Sequence, residues 1–141
     1  MSGTYRTSNS SHVGRIGEFF AMYVLEKNGI ECHHVDRSGI DLWCQSYNDT
    51  MFTVQVKAAN VCTINTSKGD KSRYIYNLRA KKIADFYVFI ALDIERLLVR
   101  STEELGCKKS IQLHPNLFNA ESQAGGIETL WNFTKEGDHQ S

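Results

Sequence analysis

The chain has no excess of charge of either sign: 16 Lys and Arg balance 16 Asp and Glu over 141 residues. Bulk electrostatics give no pull toward nucleic acid, so any such affinity has to come from local clustering of cations. Long apolar runs are missing too. The longest, Phe86 to Leu92, is far short of a membrane span, and the polar N-terminus has no apolar signal core, so a cytoplasmic protein with no membrane association is expected. The cysteines, Cys32, Cys44, Cys62 and Cys107, contain no C-x-x-C pair, which argues against a zinc knuckle and reads as reduced packing thiols. There is no Gly-rich phosphate loop, no Ser-His-Asp set and no H-E-x-x-H, which leaves the enzyme classes built on them without support. What is there is globular: 41% hydrophobic and 11% aromatic residues in a length that predicts one domain, residues 1–141, with a real core.

The informative stretch is Ser38 to Lys57. Ile40 to Gln45 and Met51 to Lys57 both alternate in polarity, and the Ser, Asn and Asp between them predict a β-hairpin. Strand side chains alternate faces, so Asp41, Trp43 and Gln45 share one face, and Thr53, Gln55 and Lys57 share one on the partner strand. If Gln45 stands opposite Met51, counting back sets Asp41 opposite Gln55, with Lys57 one step beyond. A carboxylate, an amide oxygen and an ammonium would then converge. Asp and Gln oxygens are hard ligands suited to Mg²⁺, and a nearby Lys can act on a water or a developing oxyanion.

Before the hairpin, the spacing of Val13, Ile16, Phe20, Tyr23, Val24 and Lys27 predicts a helix from Ser11 that stops at Asn28-Gly29. Glu18 falls in a second apolar stripe with Ala21, Met22 and Leu25, so the helix reads as buried nearly all round. A buried carboxylate needs a partner, either a basic side chain or a bound cation. Ile30 to Val35 reads as the first strand. Its His33-His34 pair must face opposite ways and reads as structural or surface rather than catalytic.

Beyond Lys57, Val61 to Asn65 and Tyr74 to Leu78 alternate around a turn-like Ser-Lys-Gly-Asp-Lys, predicting a second hairpin beside the site. It collects Lys68, Lys71, Arg73 and Arg79 with Tyr74 and Tyr76, a set suited to phosphate and sugar contacts. Lys81 to Ala84 reads as a short helical turn, Phe86 to Leu92 as a strand buried on both faces, and Leu97 to Arg100 as another strand. Ser101-Thr-Glu-Glu104 is a capping box opening a helix that stops at Gly106. The order predicts an α/β fold with a mixed central sheet flanked by helices. Residues 108–141 are weakly patterned: Pro115 breaks any continuing element, Gln123 to Gly126 reads as a linker, and Leu130, Trp131 and Phe133 must dock on the body or on another subunit.

Ile40-Asp41 followed by Gln55-Val56-Lys57 resembles the core of the PD-(D/E)xK nuclease superfamily, with Ile40 in place of the motif's proline and Gln55 in place of its second acid. Gly14-Arg-Ile-Gly-Glu18 resembles the acid-bearing helix that precedes the hairpin in many members. The segment from Asp85 through the capped helix is similar to the homing-endonuclease and Holliday-junction-resolvase branches. The resemblance covers about residues 12–105 and implies a restriction-endonuclease-like core. It implies a Mg²⁺-dependent endonuclease acting on DNA, with Mn²⁺ as a substitute, a metal held by Asp41, Gln55, the Val56 carbonyl and Glu18, and Lys57 as the group acting on the attacking water. Members with Gln at the second acid position occur among homing endonucleases. Site-specific double-strand cleavage would need two sites and therefore a homodimer or homotetramer. The alternatives are a Holliday-junction or other structure-specific resolvase, and a catalytically degenerate nucleic-acid-binding module.

Overall fold

The computed structural model describes residues 10–63 and 72–135. Helix α1 (Ser10–Lys27) leads into strands β1 (Glu31–Arg37), β2 (Ile40–Gln45) and β3 (Met51–Ala59). Then follow β4 (Tyr74–Asn77), β5 (Phe86–Ala91), β6 (Arg96–Ser101), helix α2 (Thr102–Leu105), β7 (Ser110–Leu113), a 3-10 turn at Pro115–Leu117 and helix α3 (Ala120–Trp131). The five-stranded sheet runs β1-β2-β3-β5-β6, and β4 and β7 form a separate two-stranded sheet. Only the β3–β5 pair in the large sheet is parallel. The fold is therefore the expected mixed α/β arrangement, a central mixed sheet with helices against it.

Each face of the sheet has its own core. On one, α1 and α3 bring Ala21, Leu25 and Leu130 against Leu42, Phe52, Val54 and Val88. On the other, the small sheet and α2 bring Tyr74, Tyr76 and Leu105 against Tyr87, Phe89 and Leu98. Every residue of β5 is buried, which is why its apolar run has no alternation. Cys32 and Cys44 face each other across β1 and β2 as buried free thiols. No helix among the described residues is long and apolar enough to cross a membrane.

Several expectations are corrected. The buried face of α1 is Val13, Gly17, Ala21, Val24 and Leu25, while Phe19 and Tyr23 are 59% and 61% exposed, so this helix is not buried nearly all round. Gly17 explains the shift: a Cβ there would stand 2.5 Å from the Ala58 Cβ. The helix is drawn onto β3 along its smallest side chains, which carry little hydrophobic signal in a sequence.

At the base of the second hairpin Thr63 and Arg73 exchange backbone hydrogen bonds, and its tip, with Lys68 and Lys71, lies outside the described residues. Tyr74 to Asn77 pairs instead with β7. The helical turn at Lys81 to Ala84 is replaced by irregular chain, with the Lys82 Nζ donating to the carbonyls of Arg79, Gly106 and Lys108.

Gln123 to Gly126 is not a linker but the middle of α3, which Asn119 caps by accepting from the Ser122 N–H at 2.8 Å. A Cβ on Gly126 would meet Val99 Cγ2 at 2.8 Å, so this glycine serves the close approach of α3 to β6. The C-terminal apolar residues dock on the body. Leu130 is fully buried, Trp131 stacks on Tyr47 at 5.4 Å, and Phe133 meets Phe52 and Phe86 edge-on.

Candidate active site

Gln45 pairs with Met51, and the β2–β3 register runs from there to Leu42 opposite Val54, as the hairpin reading required. One step further the Asp41 carboxylate accepts a hydrogen bond from the Val56 N–H at 2.8 Å. A side chain takes the backbone donor of β3 just where the pairing between the two backbones ends. A strand residue directs its N–H and C=O to the same side, so the Val56 carbonyl faces this edge as well. Gln55 and Lys57 follow on β3, on the face opposite Val54 and Val56, next to Tyr87 and Phe89 of β5.

Burial dominates the electrostatics. It pushes the Asp41 carboxyl above the ordinary carboxylate range despite the opposing pull of the Val56 N–H, Lys57 and His34. Glu18 is pushed up first by burial and then by the charge of Asp41, with His34 acting against both. These carboxylates are close enough to repel, and a cation between them would relieve that repulsion. Lys57 is pushed down by burial and by Arg79, against the attraction of Asp41.

Glu18 reaches this edge because Gly17, its neighbour, seats α1 on Ala58 and Val56. The partner it needed is His34, whose Nε2 lies 2.7 Å from Glu18 Oε1. His34 stands opposite Leu42, so it faces α1 while His33 faces away toward Trp43. The His-His pair concealed this residue, since sequence spacing does not say which of the two looks at the helix. Glu18, His34 and Asp41 line one cleft, which Gln55 and Lys57 do not, so Asp41 is the residue common to the α1 side and the β3 side.

Tyr87 was also missed. It is buried beside Gln55, with its phenol pushed up by burial, down by Arg79 and up by Asp41. A tyrosine within an apolar strand is the signal that could have found it, since a buried phenol carries a polar end that needs a polar neighbourhood. Of the residues expected on nucleic acid, Arg79 is exposed, donates to Ser38 Oγ at 2.8 Å and acts electrostatically on Lys57. Arg73 is half-buried. Tyr74 is corrected: it is buried against Phe118 and donates to Asp93 Oδ1, so its ring is core and not a contact surface.

No group of three His, Cys, Asp or Glu able to hold a metal occurs among the described residues, so a cation here would depend on a ligand of another kind. The Gln55 Oε1 is a donor of another kind. It is buried and, among the described residues, has no hydrogen-bond partner. An unsatisfied buried acceptor costs about 1–3 kcal/mol, and a hard cation or its water would satisfy it. Asp41, Gln55 and Glu18 carry oxygen donors of the hard kind that a divalent ion takes.

No protein-family model and no curated relative matches the chain. Among solved structures, its fold is similar to that of a bacterial homing endonuclease, I-Ssp6803I, with a TM-score of 0.61 at 21% identity over 75% of this chain and 75% of that one.

Proposed function

We propose that this protein is a metal-dependent endonuclease that hydrolyses DNA phosphodiester bonds, of the homing-endonuclease or restriction type, working as a homodimer or homotetramer. The observation that carries the reading is the buried Gln55 Oε1, without a partner among the described residues, on the residue next to Val56, whose N–H holds the Asp41 carboxylate. The likeness of the fold to a homing endonuclease supports it. The site's place in the Gln-x-Lys variant of the PD-(D/E)xK pattern rests on the sequence Asp41 followed by Gln55-Val56-Lys57.

Asp41, Gln55, the Val56 carbonyl and Glu18 would hold Mg²⁺ or Mn²⁺. Such an ion supplies Lewis-acid charge for a phosphate oxygen and acidifies water. The chain's own residues do the rest. Asp41 and Glu18 contribute the negative charge that retains a cation, and Gln55 contributes an oxygen without charge, which leaves the site less repulsive to an incoming phosphate. Lys57 donates to the attacking water or to the charge that gathers on the phosphoryl oxygens. Burial loosens its proton, so its amine gives up a proton more readily than a solvated lysine. Arg79 and Arg73 add cations on the β4 side for the phosphate backbone.

Incubation with linear duplex, branched and single-stranded DNA in Mg²⁺, Mn²⁺ or EDTA tests the reading. Metal-dependent nicks or double-strand breaks are expected. Cleavage confined to branched substrates would point to a resolvase, and DNA binding without cleavage in any metal would leave a nucleic-acid-binding module.

A further inference from the structure

We propose that Arg15 and Arg37 form a clamp for the DNA backbone on the α1 side of the site, a role that rests on the nuclease reading above. A bulge in β1 places Arg37 there. The β1–β2 register pairs His34 with Leu42 but Arg37 with Ile40, so one extra residue lies between them on β1. Leu42 and Ile40 share a face, and their partners therefore share it too. In a regular strand His34 and Arg37, three apart, would face opposite ways. The bulge turns Arg37 onto the side of His34, and bulges recur beside active sites because they re-aim one side chain in this way.

Arg15 arrives from α1. It stands one turn before Glu18, on the same side of the helix, with its guanidinium 5.9 Å from the Phe19 ring centre. Both arginines, with Glu18, Phe19, His34 and Asp41, line a cleft of about 690 Å³. That is ligand-sized and larger than a single phosphate ion needs. Among the described residues neither arginine forms an ion pair, and both are exposed. Both line the same cleft as Glu18 and Asp41.

The occupant that fits is a polyanion carrying phosphates at a regular spacing, with one at the Asp41 edge and its neighbours under the arginines. A guanidinium fork suits phosphate oxygens better than an ammonium would. Across the β1–β2 turn Arg79 donates to Ser38, so the strand would meet cations on both sides of the reacting edge although the chain's net charge is zero.

The test is the salt dependence of binding to a fluorescein-labelled random-sequence DNA duplex, measured in Ca²⁺ so that no strand is cut. Arg15→Ala with Arg37→Ala should lower the slope of log K against log salt by about two. Arg96→Ala on the far edge strand should leave the slope alone, and Arg37→Lys should keep most of it. Mg²⁺ affinity of the double variant, read by calorimetry without DNA, should match wild type. An unchanged slope in a double variant that still binds DNA would overturn the clamp and leave the nuclease reading intact. Absence of DNA binding by the wild-type protein would overturn both.

Discussion

The Asp41 carboxylate takes the Val56 N–H at 2.8 Å, so the group expected to hold a cation is fixed by the backbone of the strand that carries Gln55 and Lys57. A ligand positioned in this way does not have to be ordered when metal or substrate arrives.

That contact separates two substitutions at one position. Asp41→Ala removes both the charge and the acceptor, leaving the Val56 N–H without its side-chain partner at a cost of about 1–3 kcal/mol. Asp41→Asn keeps an acceptor. Urea unfolding should show the alanine variant less stable than the asparagine variant, and equal stability would mean the hydrogen bond contributes nothing.

Because burial raises both Asp41 and Glu18, the folded protein keeps their protons to higher pH than the unfolded chain does. Their contribution to stability is greatest below the unfolded carboxyl range and falls as pH rises through the folded values. Without metal, Asp41→Asn should therefore raise Tm at neutral pH, with the gain shrinking as pH falls toward about 4. Mg²⁺ should raise the wild-type Tm and leave the variant nearly unchanged. A metal-free Asp41→Asn protein that melts lower at neutral pH would show that Lys57 and the other partners outweigh burial.

Gln55→Glu adds a carboxylate where an amide oxygen has no partner among the described residues and should tighten Mg²⁺ or Mn²⁺ binding to the protein alone, while Gln55→Ala should weaken it. Cleavage need not improve with Gln55→Glu, since the new charge can draw Lys57 into an ion pair. Indistinguishable affinities by calorimetry would remove residue 55 from the ligand set.

Leu130 is fully buried, and Leu130→Ala should cost about 2–5 kcal/mol in denaturant unfolding. Gly17→Ala should also destabilise, because its Cβ has no room before Ala58, and by moving α1 it should weaken metal binding through Glu18. A neutral Leu130→Ala would mean that α3 does not dock as described.

The hairpin register could be read from sequence because strand alternation and one loop length decide it, and a slip by one residue would have reversed every face. β5 and the α2 capping box were legible for the same local reason. The β4–β7 pairing was not, since it joins segments far apart in the chain through strands only four residues long. α3 was concealed by Gly125 and Gly126, which read as a linker until Val99 shows what the second of them makes room for. His34 and Arg37 depended on a bulge, and a bulge leaves no periodic trace. Tyr74 was misjudged because an aromatic among cations looks the same in sequence whether its ring faces DNA or a core.

The most direct measurement is strand cleavage in Mg²⁺ and Mn²⁺ by wild type, Asp41→Ala and Lys57→Ala, each checked for folding by circular dichroism, with EDTA as the blank. Wild-type cleavage that EDTA stops, and a loss of about 100-fold or more in each folded variant, is the predicted result. Cleavage at the wild-type rate by either variant would contradict the assignment of this edge of the sheet as the active site.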